Sequence, residues 1–353
     1  MKVFRKENRQ EWDDIVKSFA VYDVYYLYGY VAPFALHGDG DPMLLYYQSE
    51  GLRGICVLML RDIAQIPIFA ERLPQETYFD AITPYGYGGF IFEGETSKEQ
   101  LDKFYADYIA CLKDLKVISV FYRYHPILHN AHILENYSTI IDLGKTIHID
   151  LTTEEDIWDN LLGKNRTAIR KAIKSDVIIE EGKGKELLSE FRSIYNKTMD
   201  GDNADEYYYF SPEFYEALND ELSDNYTLFY ALKDGQIISI AIILYANSRM
   251  HYHLSGSVYE YRSLSPSNLL LYTVACRGAE RGFKTFHLGG GVGSGEDPLF
   301  KFKQAFNKNS ANQFSIGYDI VDPEMYHKLV RLRSEEDPDF NQSSTFFPLY
   351  RAQ

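Results

Sequence analysis

The chain has 353 residues, and its 51 acidic against 36 basic side chains give a formal net charge of −15, which disfavours broad non-specific adhesion to nucleic acid and to anionic membrane surfaces. No apolar run reaches the ~18 residues that would span a bilayer, and the polar start Met-Lys-Val-Phe-Arg-Lys-Glu lacks the apolar segment of a secretory signal. The expectation is a cytoplasmic protein with neither DNA nor integral membrane contact as partner, long enough for two domains of ordinary size.

In chain order, residues 10–18 read as a short helix, followed by a tyrosine-rich segment, 21–30, and a turn cluster at Gly38-Asp39-Gly40-Asp41-Pro42. Leu44 to Tyr47 and Ile55 to Leu60, separated by a polar turn with Gly51, predict a β-hairpin. Tyr78 to Ile82 predicts a strand running into Thr83-Pro84-Tyr85-Gly86-Tyr87-Gly88-Gly89. Ser97 and Gln100 have capping-box spacing ahead of a helix whose buried face is Leu101, Phe104, Tyr105, Tyr108 and Leu112. Val117 to Tyr122 closes the series as a strand. Cys56, Cys111 and Cys276 lie far apart in apolar stretches without metal-ligand spacing and read as reduced core residues.

The stretch that follows is helical. Thr152 and Glu155 have capping-box spacing, Gly163 interrupts, and residues 164–174 form a basic helix in an acidic protein, read either as a solvated face around Ile169 and Ile173 or as an anion-binding surface. Further helices are expected at 185–199 and 211–222.

The earlier order then repeats. Leu228 to Tyr230 and Ile237 to Leu244 form a hairpin about Asp234-Gly235, Met250 to Leu254 a strand, Ser255-Gly256-Ser257 a loop, Ser265-Pro266 a helix start, and Phe283 to Leu288 a closing strand. Hairpin, strand, helix, strand twice over implies two copies of one mixed α/β unit. The expected domains are 1–150 and 151–334, with a tail at 335–353 of little structure of its own.

The last strand runs into Gly289-Gly290-Gly291-Val292-Gly293-Ser294-Gly295, whose bare amides something could approach closely, and Asp297-Pro298 reads as N-cap and first turn of a new helix. Leu299, Phe302, Lys303 and Phe306 share one face of that helix, so a lysine sits in an apolar stripe. Either its stem packs while its ammonium escapes to water, or it is held at a cleft to meet developing negative charge. His251, His253 and His287 fall on neighbouring predicted strands without carboxylate or cysteine at ligand spacing, so no metal is expected and a structural role is preferred. P-loop, α/β-hydrolase and zincin motifs are absent from the sequence.

The motifs Asp80-x-x-Thr83-Pro84-Tyr85-Gly86-Tyr87-Gly88-Gly89, Asn165-Arg166-x-x-Ile169-Arg170-Lys171-Ala172, Leu254-Ser255-Gly256-Ser257, Leu288-Gly289-Gly290-Gly291 and Phe302-Lys303-Gln304-Ala305-Phe306 occur in that order. On them the chain resembles the Fem family of non-ribosomal peptidyltransferases, within the Gcn5-related N-acyltransferase (GNAT) superfamily. The resemblance implies tandem acyltransferase-like domains, the active cleft chiefly in the second, and attack by an acceptor amine on an activated acyl group. Fem enzymes use aminoacyl-tRNA as donor and a peptidoglycan precursor as acceptor, whereas acyl-CoA is the usual donor of the wider superfamily. It also implies that Lys303 stabilises the tetrahedral oxyanion and that Arg166 and Arg170 hold phosphates.

The expected site is completed by Phe302 of the Lys303 motif, by Gly289, Gly290 and Gly291 toward the donor, by Tyr85, Gly86 and Tyr87 along the acceptor groove, and by Tyr252 as a candidate base. Tyr261-Arg262-Ser263-Leu264-Ser265-Pro266 lacks the Arg/Gln-x-x-Gly-x-Gly/Ala loop whose amides usually cradle CoA pyrophosphate, leaving the Ser265-capped helix start as the anion site. The leading expectation is an N-acyltransferase acting on an amine of a small-molecule envelope precursor, with tRNA-dependent aminoacyl transfer and a non-catalytic binding module as rivals.

Overall fold

The computed structural model describes residues 1–352. Two compact units emerge: residues 1–143 together with the segment from Phe314 onward, and residues 144–313.

In the first unit, β1 (Lys2–Phe4), α1 (Arg9–Lys17) and α2 (Tyr28–His37) precede the hairpin of β2 (Asp41–Ser49) and β3 (Leu52–Asp62). Strands β4 (Phe79–Ile82) and β5 (Ile91–Gly94), helix α3 (Lys98–Asp114) and β6 (Val117–Arg123) follow. Strands β2, β3 and β4 pair antiparallel in turn, and α3 carries the chain over to β6, which lies parallel to β4. Its core joins alternating strand residues such as Leu45, Tyr47 and Leu58 to the Phe104, Tyr108 and Leu112 face of α3. Ser97 makes no side-chain cap, and the Gln100 side-chain amide donates to the Glu50 carbonyl across the hairpin turn instead of closing a capping box.

Strand β7 (Thr139–Asp150) contains the first unit boundary. The second unit continues with α4 (Glu154–Asn160), α5 (Gly163–Lys174), β8 (Ile178–Gly182), α6 (Lys185–Asp202), α7 (Pro212–Glu221), β9 (Tyr226–Lys233), β10 (Gln236–Ala246) and β11 (Arg249–Ser257). It ends with α8 (Pro266–Glu280), β12 (Thr285–Gly289) and α9 (Pro298–Gln304). Here too an antiparallel hairpin, β9 with β10, pairs antiparallel with a third strand, β11, and a helix crossover, α8, delivers a parallel fourth, β12. Even the hairpin registers correspond: Tyr46 pairs with Ile55 in the first unit and Tyr230 with Ile240 in the second. The inferred duplication of a mixed α/β unit is therefore the observed architecture, each unit with its own core.

Several boundaries differ from expectation. Ser255, Gly256 and Ser257 continue β11 rather than forming a loop, since Gly256 packs its Cα against the backbone of Ile194 and Tyr195 in α6. The α4 cap is Thr153, whose hydroxyl accepts from the Asp156 amide at 3.1 Å, not Thr152.

The chain leaves the second unit through β13 (Asn312–Ile320), and α10 (Pro323–Glu336) follows in the first unit. The segment from Phe314 thus groups with the N-terminal residues, where the sequence reading had carried the second domain to 334. The cause is concrete: β13 pairs with β6, and its buried Asp319 accepts from Tyr122 at 2.7 Å and Tyr105 at 3.1 Å. Met325, Tyr326 and Leu329 of α10 join a cluster with Ile63, Phe69 and Ile118. Tyr350, in the expected tail, belongs to the same cluster and is fully buried.

Candidate functional site

The glycine-rich turn between β12 and α9 lies in the second unit, and its geometry is set by one carboxylate. Asp297 caps α9 by accepting from the Phe300 amide at 2.7 Å through Oδ1, while Oδ2 accepts from the Val292 amide at 2.9 Å. These bonds, and the Lys303 charge, hold the Asp297 carboxyl below its ordinary pKa. A Cβ on Gly291 would fall on the Asp297 carboxylate and the Gly295 carbonyl, so only glycine permits this closure.

Lys303 is 9% exposed. Its Nζ donates to the Gly290 carbonyl at 2.7 Å, which ties the helix back to the turn. Burial pulls its pKa from 10.5 down to about 8, partly opposed by Asp297. The ammonium therefore does not escape to water, which corrects the first of the two sequence readings. The buried stripe of α9 is also rotated: Phe300 and Lys303 are buried, Phe302 is half-buried against the Phe306 ring, and Leu299 is 40% exposed.

Helix α5 adds a second polar element. Asn165, 1% exposed, donates to the Ala305 carbonyl at 3.2 Å and accepts from Asn268 at 2.7 Å, so one amide joins α5, the start of α8 and the end of α9. Sequence reasoning passed over Asn165 as a site residue, although its spacing from Ile169 and Ala172 puts it on the buried face. Arg166 and Arg170 stand on the other side of α5. The Arg166 guanidinium reaches the Trp158 carbonyl at 3.4 Å and that of Arg170 lies 5.0 Å from the Trp158 ring centroid.

Tyr252 of β11 donates to the Ser255 hydroxyl at 2.5 Å, and burial raises its pKa, so it is a protonated donor near neutral pH and ill suited as a base. The rings of His251 and His287 meet edge to face at 5.7 Å, and burial lowers the His253 pKa to about 3, keeping it neutral. Ser265 precedes α8 with φ +60° and does not cap it through its side chain. The stretch before it forms a 3-10 helix, Tyr259–Leu264, in which the Tyr261 and Ser265 amides are bonded to the Val258 and Arg262 carbonyls at 3.1 and 3.0 Å.

Tyr85, Gly86 and Tyr87 belong to the first unit. There the Tyr85 carbonyl accepts from Tyr30 at 2.6 Å, a Cβ on Gly86 would press on the Tyr25 ring, and Tyr87 packs edge-on against Tyr25. The second unit thus brings together Lys303, Phe302, the glycine turn and, through Asn165, the α5 helix.

Residues 164–303 match the family model for an acetyltransferase (GNAT) domain. Among solved structures, FemX superposes with a TM-score of 0.67 at 15% identity, covering 93% of this chain and 99% of the FemX chain. A conserved protein of unknown function from Bacteroides thetaiotaomicron gives 0.55 at 11% identity, over 88% and 97% of the two chains. L-PGS from Bacillus licheniformis gives 0.50 at 12% identity, over 94% and 95%. No curated protein matches by sequence. Among the described residues, no helix is long and apolar enough to cross a membrane.

Proposed function

We propose that this chain, whose residues 164–303 match a GNAT domain and whose fold is similar to that of FemX, transfers an activated acyl group to an amine of a cell-envelope precursor, with an aminoacyl ester as donor. The observation that carries the reading is the buried Lys303 ammonium held on the glycine turn of an acyltransferase fold.

In this reaction the acceptor nitrogen attacks the donor carbonyl carbon, and the carbonyl oxygen takes up a full negative charge in the tetrahedral intermediate. A pre-positioned ammonium in a desolvated site stabilises that charge more than it stabilises the neutral ground state. With a pKa of about 8, Lys303 is roughly nine-tenths protonated at pH 7, so the charge is available. Collapse of the intermediate breaks the ester C–O bond and expels the donor's alkoxide, which takes up the proton that the attacking amine loses, leaving an amide and an alcohol. Burial raises the Tyr252 pKa and its hydroxyl donates to Ser255, so Tyr252 stays protonated and does not serve as the base. Arg166 and Arg170 offer their remaining guanidinium edges to phosphates of donor or acceptor.

The choice of donor rests on the segment before α8. Pro266 has no N–H, and the Tyr261 and Ser265 amides are already bonded within the 3-10 turn, so fewer backbone donors are left here to cradle a diphosphate. That favours an aminoacyl ester, as on a charged tRNA, over acyl-CoA. Incubation with 14C-labelled aminoacyl-tRNA and, in parallel, with 14C-acetyl-CoA, each with an amino-sugar nucleotide or muropeptide precursor, tests the reading. Label should move from the tRNA only; transfer from acetyl-CoA alone would overturn the donor assignment, and transfer from neither the function.

A further inference from the structure

A cavity of about 470 Å³ opens in the first unit, apart from the residues assigned to acyl transfer above. It is walled by Arg61, Arg333, Arg351, Gln65, Ile66 and Pro67. Beneath it lies Asp80, 1% exposed, whose two oxygens are divided between two cations: Arg61 Nε donates to Oδ1 at 2.6 Å and Arg351 Nε to Oδ2 at 2.5 Å. One negative charge therefore faces two guanidiniums. Burial and the neighbouring Arg351 lower the Arg61 pKa, while Asp80 opposes them.

The other nearby carboxylates do not make up the difference. Arg333 is matched by Asp337 at 3.0 Å, and Asp62 directs both oxygens at backbone amides, those of Ala64 and Glu76, at 2.9 Å. Arg351 Nη2 and Arg333 Nε are buried with no hydrogen-bond partner among the described residues. Orphaned donors on partly buried guanidiniums are costly, and an oxyanion in the cavity would meet the edges of Arg61, Arg333 and Arg351 that line it and offset their excess positive charge. Gly40 brings α2's exit against this wall: a Cβ there would collide with the Leu60 carbonyl and press on the Arg61 stem, fixing the Arg61 side chain from behind.

We propose that this cavity binds the oxyanion head, carboxylate or phosphate, of a small molecule, with Arg61 and Arg351 gripping the head, Arg333 at its side, and Ile66 and Pro67 against an apolar body. The inference is independent of the acyl-transfer site, since every residue it uses belongs to the first unit.

Isothermal titration calorimetry of the full chain with inorganic phosphate and with acetate, at ionic strength held constant with chloride, tests it. Saturable binding of either anion is expected, and which one binds identifies the head group. Arg61→Gln should weaken that binding by roughly tenfold or more. Because Arg61→Gln disturbs the Asp80 network, Arg333→Gln serves as a second variant that leaves the network intact, with circular dichroism confirming its fold; it too should weaken binding. No saturable binding of either anion to the wild type, or binding unchanged in both variants, would overturn the proposal.

Discussion

A lysine that is buried for catalysis should be a burden on the fold, and Lys303→Met measures that burden. The folded protein holds the Lys303 pKa at about 8 against the ordinary 10.5, a shift of roughly 2.5 units. At about 1.4 kcal/mol per unit this is on the order of 3 kcal/mol against folding while both states are protonated. The bond to the Gly290 carbonyl offsets about 1 kcal/mol, and that carbonyl, on a half-buried residue, can be met by water once the lysine is gone.

Methionine keeps the unbranched stem, so Lys303→Met should be more stable than the wild type at pH 7 by about 2 kcal/mol. The sign of the pH dependence follows from the unfolded chain binding the proton more tightly. Below pH 8 both states hold it and the full cost stands; between pH 8 and 10.5 wild-type stability rises relative to the variant; above 10.5 the cost is gone. Urea unfolding of both proteins at pH 7 and pH 10 reads the difference directly, other titrations cancelling between them. A variant less stable than the wild type at pH 7, or a gap that does not narrow by pH 10, would refute the reasoning.

Gly291→Ala places a methyl on the Asp297 carboxylate and the Gly295 carbonyl, and should cost about 2 kcal/mol in urea unfolding while disrupting transfer. Asp297→Ala removes the α9 cap and its tie to Val292 and should lower stability by about 1 kcal/mol, with protection from hydrogen exchange lost first at the Phe300 and Val292 amides. Replacing Arg166 and Arg170 together by Gln should raise the donor KM roughly tenfold with kcat nearly kept, measured by initial rates against donor concentration.

Much of this fold could be read from hydrophobic period and turn chemistry. The Leu101 to Leu112 face of α3 and the hairpins about Gly51 and Gly235 form as the residues dictate, because alternation and helical spacing are local signals. What the sequence did not show is long-range. Segment 314–352 reads as the end of the second domain or as tail, and only pairing of β13 with β6 and burial of Tyr350 assign it to the first unit. Helix α2 was hidden because Pro33 lies inside it and its tyrosines carry no clear period.

At the site, the glycine turn and the Asp297 cap were legible as motif chemistry. Whether Lys303 reached water or stayed buried was not, since its register on a short helix is compatible with both and only the Gly290 carbonyl decides it. Asn165 was hidden for a similar reason: its partners, Ala305 and Asn268, lie more than a hundred residues away in sequence.

The central claim is that the Lys303 charge acts on the transition state of acyl transfer. Its most direct test is the single-turnover rate of label transfer from saturating aminoacyl donor, wild type against Lys303→Met, with donor affinity measured separately. The account predicts a fall of about 10² to 10³ in rate with donor affinity unchanged; an equal rate in the two proteins would contradict it.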